Sequence, residues 1–202
     1  MQGAVLEESK LALRRAMLSR RAAVSPTQRQ FWSALIQAAA LKFGPYLAAA
    51  EVALYSSIEN EVDTKEIVTD ALARKKKVFY PKIGVDDSAW FFEIRAEGEL
   101  GAGRFGISEP AAMRPLSLLG SENLKSRIVF APAVAFDLNG RRLGRGGGWY
   151  DRLLASMQGH AVFVGLAFEF QIVEQLATDE WDQRVHYIIT EKRVIDCDVL
   201  AS

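Results

Sequence analysis

The stretch richest in chemical potential is Gly140-Arg141-Arg142-Leu143-Gly144-Arg145-Gly146-Gly147-Gly148-Trp149-Tyr150-Asp151, where four of the five residues from 144 to 148 are glycine and the fifth is arginine. Backbone without Cβ atoms can take turns closed to other residues and bring several N–H groups to one oxyanion. A helix beginning just after it adds its positive N-terminal end at the same point. Arg142 and Arg145 add fixed charge and forked donors suited to phosphate. Asp151 has the hard oxygen chemistry of a magnesium ligand when phosphates supply the remaining oxygens. The run is not a Walker loop, because Trp149 and Tyr150 follow Gly148, and a Rossmann fingerprint begun at Gly144 fails at Trp149. Taken alone it reads either as a phosphate cradle or as a turn kept bare for tight packing, and Asp151 either as a metal ligand or as a partner of Arg152.

Other residues could join such a site. Lys10 and Arg14 are spaced i, i+4, so on a helix they share a flank that can grip a polyphosphate or simply meet solvent. Glu59, Glu61 and Asp63 follow an apolar run, and open α/β sheets bind ligands at the carboxyl ends of their strands. Complementation of a helix N-terminus is the competing role, and it suits Asp63 better than Glu61. Tyr80-Pro81-Lys82 and the stretch from Pro132 to Asp137 end two further strands at that same expected edge. Tyr80, Trp149 and Tyr150 offer faces for stacking on a flat ligand, or bulk for the core. His186 reads as structural.

The elements that must position these residues follow from pattern. Residues 4–23 read as a helix, with Leu6, Leu13 and Met17 on one stripe and Lys10 and Arg14 on another flank. Ser25-Pro26 supplies a cap and a first-turn proline for a second helix to about Leu41, which Gly44-Pro45 ends. Strands are expected at 51–56, 77–81, 89–95, 128–132, 162–167 and 187–190. Helices are expected from Asp63, over 149–157 and, briefly, from Glu169. Residues 96–127 hold many glycines and prolines and read as an irregular, functional or mobile connection. Apolar strands alternating with helices predict an α/β fold, a mainly parallel sheet with helices on both faces.

Composition closes several classes. The chain has 202 residues and 50% hydrophobic content, which suits one globular domain over 1–202 without disulfide staples. Its 25 basic and 25 acidic residues balance, so charge points to neither a nucleic-acid nor a membrane partner. Cys197 is alone and reads as a buried strand thiol, so no disulfide or C-x-x-C site exists, and two histidines are too few for a three-histidine zinc site. No apolar run approaches the ~20 residues of a membrane helix. The start lacks a secretory pattern, and Glu7 and Glu8 count against an organelle-targeting segment, so a cytoplasmic location is expected; the chain is taken as a monomer.

Together these stretches resemble the 5-formyltetrahydrofolate cyclo-ligase (methenyltetrahydrofolate synthetase) family, from Lys10 to about Thr190. The most specific part runs from Phe136-Asp137 through Gly140 to Arg152, against a family pattern close to F-D-x-x-G-x-R-L-G-x-G-x-G-Y-Y-D. Lys10-x-x-Leu13-Arg14, Glu61-Val62-Asp63-Thr64, Gly106-Ile107-x-Glu109-Pro110 and Thr190-Glu191 support it in order. The resemblance implies a Rossmann-like three-layer fold of the NagB/RpiA/CoA-transferase-like type. It implies ring closure of 5-formyltetrahydrofolate, with or without a polyglutamyl tail, to 5,10-methenyltetrahydrofolate, driven by ATP and Mg2+ with release of ADP and phosphate. Lys10 and Arg14 would hold ATP together with the loop of Arg142, Leu143, Gly144, Arg145, Gly146, Gly147, Gly148, Trp149 and Tyr150. Glu61, Ile58 and Tyr80 would meet the pterin, and residues 145–149 would face both ligands. Asp151 and Asp182 match the magnesium positions, and Lys10, Arg145 and Asp151 would act on the transferred phosphoryl group. Trp149 stands where tyrosine is usual, Gly147 where a larger residue is common, His186 where aspartate is frequent and Ala177 where proline is. Two other readings stay open: a diverged paralogue acting on another small molecule, and a non-catalytic nucleotide- or folate-binding module.

Overall fold

Runs of valine, isoleucine and phenylalanine one turn or one helix apart assemble into a sheet whose strand order decides where a ligand can sit. The computed structural model describes residues 2–84, 88–117, 126–177, 179 and 181–198, with the side chains of 2–6 and 105 outside that set. The helices are α1 (Gln2–Ala23), α2 (Pro26–Lys42), α3 (Gly44–Ala48), α4 (Lys65–Ala73) and α5 (Trp149–Ser156). The strands are β1 (Glu51–Ala53), β2 (Lys77–Ile83), β3 (Ala89–Ile94), β4 (Leu100–Ala102), β5 (Ser108–Pro110) and β6 (Arg127–Ala131). They continue with β7 (Ala135–Asp137), β8 (Arg142–Leu143), β9 (Val162–Leu166), β10 (Ile172–Val173), β11 (Tyr187–Ile189) and β12 (Val194–Asp196).

Among the described residues the main sheet has the order β12-β11-β9-β6-β1-β2-β3. The strands from β11 to β2 pair in parallel, while β3 and β12 close the two edges antiparallel. Register explains the layering, because strand side chains alternate faces. The row Val78, Val52, Ile128 and Val162 points to a core shared with Ile36 and Ala40 of α2, Tyr46 of α3 and Ile67 of α4. The next row, Phe79, Ala53, Val129 and Phe163, points the other way, onto Leu153 and Leu154 of α5. That second face also carries a small sheet of order β10-β7-β8, whose Phe136 joins the same core. Helix α1 lies on the small sheet, with Leu13 and Met17 against Ala135, Leu143 and Leu176.

The α/β expectation holds, with differences of detail. Both faces are covered by helices, but one shares its cover with the small sheet, whose strands of two or three residues are too short to show a period. Ser25 caps α2 as expected, its hydroxyl accepting the Gln28 N–H at 3.2 Å. The first strand stops at Ala53, the fourth helix begins at Lys65, and the short helix from Glu169 is one 3-10 turn, Glu169–Gln171. Within 96–127 the chain forms the β4–β5 hairpin, docked by Ser56 Oγ on the Ser108 carbonyl at 2.5 Å and Lys82 Nζ on that of Pro110 at 2.9 Å. Residues 118–125 of that stretch and the Leu6 side chain lie outside the described residues. Cys197 is buried just past β12 rather than within it. No described helix is long and apolar enough to cross a membrane.

Candidate active site

The segment from Phe136 to Asp151 is built in two stages. Asp137, fully buried, folds the turn between β7 and β8: its Oδ1 accepts the N–H groups of Asn139 at 2.9 Å and Arg141 at 3.0 Å, and its Oδ2 that of Leu176 at 3.0 Å. Gly140 completes the turn at φ +77°, where a Cβ would lie 2.1 Å from the Val185 carbonyl oxygen, so no larger residue fits. The chain then returns along β8, and the Leu143 carbonyl accepts the Val134 N–H at 2.7 Å. Past this scaffold comes the glycine turn, with Gly146 at φ +110° and Gly148 at φ +65° directly before α5. Gly147 has ordinary φ, but a Cβ there would lie 2.7 Å from Trp149 Nε1, so the indole rests on its bare backbone.

This turn forms one wall of a cleft of about 340 Å³ at the carboxyl ends of β1, β2 and β6. The facing walls are the loop after β1, from Tyr55 to Glu61, the segment Pro132–Val134 after β6, and Ile107 from the β4–β5 hairpin. The expected residues Ile58, Glu61, Arg142, Gly144, Arg145, Gly147, Gly148, Trp149, Tyr150 and Asp151 all line it.

Charge is arranged at two ends. At one, Glu61 sits between two guanidinium groups: Arg145 Nε lies 3.6 Å and Arg21 Nη2 3.8 Å from its Oε1, while its Oε2 accepts the Ile58 N–H at 3.2 Å. Burial pushes the Glu61 carboxyl above its ordinary value despite both arginines. Arg145 also grips Glu59 at 2.6 Å; this bond holds the Glu59 carboxyl below its usual range and raises the guanidinium. At the other end, Arg142 Nη2 donates to Asp151 Oδ1 at 2.6 Å, and the guanidinium lies over the Tyr150 ring. Burial lowers the Arg142 pKa, yet an arginine keeps its charge. Lys10 Nζ bonds Asp179 at 2.6 Å and Asp182 at 3.1 Å; burial opposes its charge, but the two carboxylates outweigh that and raise its pKa. Between the ends, Arg14 Nε donates to the Gly144 carbonyl at 2.9 Å.

Helix α1 links the two ends. At 100° per residue, positions 10, 14 and 21 fall within about 40° of one another, and 11 residues span about 16 Å. One stripe therefore delivers Lys10, Arg14 and Arg21 along the length of the site. Arg21 was legible in principle, since it continues the stripe of Lys10 and Arg14, but no motif marks it. Asp179 gave no signal beyond its carboxylate.

Three expectations need correction. Tyr80 does not line the cleft: it is buried in the core on the opposite face of β2, and its neighbours Pro81 and Ile83 reach the cleft instead. The Leu143 side chain packs in the core with Leu13 and Met17, so only its backbone is near the turn. Gly146 is exposed and does not line the cleft. Lys10, Arg14 and Asp182 flank the cleft rather than line it.

A divalent cation would find only part of its donor set in the protein. Among the described residues no group of three or more His, Cys, Asp or Glu side chains comes together. Asp151 and Asp182 are joined through Gln183, whose N–H donates to Asp151 Oδ1 at 3.1 Å. Two carboxylates that both face Arg142, without a full protein cage, fit magnesium, which keeps waters and takes phosphate oxygens.

Comparison with known proteins gives the family and the fold. Residues 6–191 match the sequence profile described as the 5-formyltetrahydrofolate cyclo-ligase family. The chain is 31% identical over 182 residues to the 5-formyltetrahydrofolate cyclo-ligase of Escherichia coli K12, covering 87% of this chain and 96% of that one. It is 36% identical over 137 residues to that of Haemophilus influenzae, covering 66% and 72%. Among solved structures, the 5,10-methenyltetrahydrofolate synthetase of Aquifex aeolicus superposes with a TM-score of 0.80 at 32% identity, covering 93% of this chain and 92% of that one. The enzyme of that name from Mycoplasma pneumoniae gives 0.70 at 25% identity, covering 90% and 98%.

Proposed function

The chain belongs to the 5-formyltetrahydrofolate cyclo-ligase family, and on that premise we propose that it closes 5-formyltetrahydrofolate to 5,10-methenyltetrahydrofolate with conversion of ATP to ADP and phosphate. The observation that supports this reading best is the single cleft in which Glu61 faces a glycine turn carrying Arg142 and Arg145. A buried carboxylate suits the N–H groups of a reduced pterin, and a bare backbone with fixed cations suits a triphosphate.

The formyl oxygen is a poor leaving group, so the amide must be activated before N10 can close the ring. The γ-phosphoryl group passes to that oxygen: an O–P bond forms, the bond to the β-phosphate bridging oxygen breaks, and ADP leaves. N10 then attacks the formyl carbon, its proton is lost to solvent, and the carbon–oxygen bond breaks with release of phosphate. Positioning and charge neutralisation are the main demands of such a transfer. Lys10, Arg14 and Arg142 hold the phosphates, together with N–H groups of Gly144 and of residues 147–150. Arg145 sits between nucleotide and pterin and steadies the oxygen in flight. Glu61 fixes the ring with the Ile58 backbone beside it, and Trp149 shields the reacting atoms from water. Asp151 and Asp182 are the residues that would hold magnesium, which when bound neutralises phosphate charge.

The test is to mix the protein with ATP, magnesium and 5-formyltetrahydrofolate and follow methenyl absorbance alongside ADP. Equal amounts of both products are expected. No methenyl product from folded protein, or product without ATP consumption, contradicts the proposal. ADP formed only with another small molecule would mark a diverged paralogue.

A further inference from the structure

Arg21 belongs to no motif and does not line the cleft, yet it is among the most buried charged residues of the chain, at 2% exposure. Burying a guanidinium is costly unless it is paired and hydrogen-bonded. The carboxylate it meets is Glu61, at 3.8 Å, and its Nη2 has no hydrogen-bond acceptor. A packing role alone gives no reason for a cation at this position, where leucine or methionine on the same stripe would fill the space without the desolvation cost.

The surroundings of Glu61 give the reason. Facing it are Arg21 from α1, Arg145 from the glycine turn, Glu59 from its own loop, Tyr55 after β1 and Tyr150 from α5. Arg145 is shared with Glu59, which it holds more closely, at 2.6 Å against 3.6 Å. Glu59 adds repulsion, and both phenols remain neutral, since burial raises their pKa values well above the ordinary one. Arg21 is therefore the cation beside Glu61 that no other described carboxylate claims at ion-pair distance. Glu61 Oε2 is tied to the Ile58 N–H, which leaves Oε1, flanked by Arg21 and Arg145, to accept a hydrogen bond from the cleft.

We propose that Arg21 is the positioning residue for Glu61: set outside the cleft lining, it fixes the carboxylate's orientation so that Oε1 can accept an N–H of the reduced pterin. The proposal rests on the cyclo-ligase reading above. It also gives α1 a second task, since the helix that brings Lys10 and Arg14 to the phosphate end sets the acceptor at the pterin end.

The experiment compares wild type, Arg21→Met, Arg21→Lys and Arg21→Met/Glu61→Gln by steady-state kinetics against both substrates over pH, with Tm recorded for each. Arg21→Met is expected to raise the folate KM about tenfold with the ATP KM within twofold. The acid limb of kcat/KM for folate should move up by roughly one pH unit, because a carboxylate without its cation takes a proton more readily. Arg21→Lys keeps the charge on a shorter head, so the acid limb should stay near the wild-type position while the folate KM rises about threefold. In the Glu61→Gln background, Arg21→Met should add less than twofold. A lowered Tm with an unmoved acid limb and unchanged folate KM in both single variants would overturn the proposal, and Arg21→Lys alone decides the KM arm if Arg21→Met does not fold. A wild type without cyclo-ligase activity would instead sink the functional reading, so the two failures are distinct.

Discussion

Residues 136–143 and 144–151 run on without a break and together make the densest motif of the chain, yet they spend their polar atoms in opposite ways. In the first half Asp137 gives both carboxylate oxygens to backbone N–H groups, and Gly140 is bare because the Val185 carbonyl occupies the space. In the second half Gly144, Gly147 and Gly148 leave backbone facing a cleft that Arg145 and Asp151 line, with Arg142 reaching it from the end of the first half. One half is a bracket and the other is what the bracket holds. A motif thus mixes residues required for shape with residues required for chemistry, and only their partners tell them apart.

Substitutions can break that division. The largest expected effect is Asp137→Ala, which strands three backbone donors and should cost roughly 3 kcal/mol or more, a Tm drop of roughly 6–12 °C for a chain of this length. The protein that remains folded should keep both KM values within about twofold; a selective KM change in either substrate would move Asp137 into the site. Glu61→Gln should raise the folate KM by about tenfold to a hundredfold, the range of a lost charge-assisted hydrogen bond, with the ATP KM unchanged. If only the ATP KM moved, the two ends of the cleft are assigned the wrong way round.

The pH dependence sharpens the same point. Burial raises the folded pKa of Glu61, so its proton returns at higher pH than in an ordinary glutamate. The folate KM should therefore begin to rise, as pH falls, above the usual carboxylate range, while the ATP KM stays flat through that window. An acid limb at or below the ordinary glutamate value would contradict the buried acceptor.

Smaller effects come next. Gly147→Ala pushes against an indole nitrogen 2.7 Å away and should raise KM about threefold to tenfold. Adding Trp149→Tyr should recover most of that loss, because the smaller ring vacates the contact; additive losses would mean the two residues are not coupled. The smallest is Tyr80→Phe, expected to leave both KM values within about twofold because the phenol lies in the opposite core.

Much of this was legible from residue order. The α/β class, the Ser25 cap, the carboxylates after β1 and the glycine turn follow from local pattern. What escaped was direction and distance. Strands buried on both faces are apolar at every position, so nothing local says which side of β2 Tyr80 takes. The small sheet is built from pieces of two or three residues, below the length at which a period exists. Arg21 and Glu61 meet across 40 positions, and Lys10 finds Asp179 and Asp182 across most of the chain. Those pairings are products of topology: Lys10, Asp182 and Glu61 were marked in the sequence, Arg21 and Asp179 were not, and nothing local said which would meet.

In the proposed reaction the formyl oxygen itself receives the phosphoryl group in the cleft between Glu61 and the glycine turn. The direct measurement is to supply 5-formyltetrahydrofolate labelled with oxygen-18 in its formyl group, together with ATP and magnesium, and weigh the phosphate released. Transfer of the label into phosphate, one atom per methenyl product, is the expected result. Unlabelled phosphate, with the heavy oxygen in water, would contradict the account.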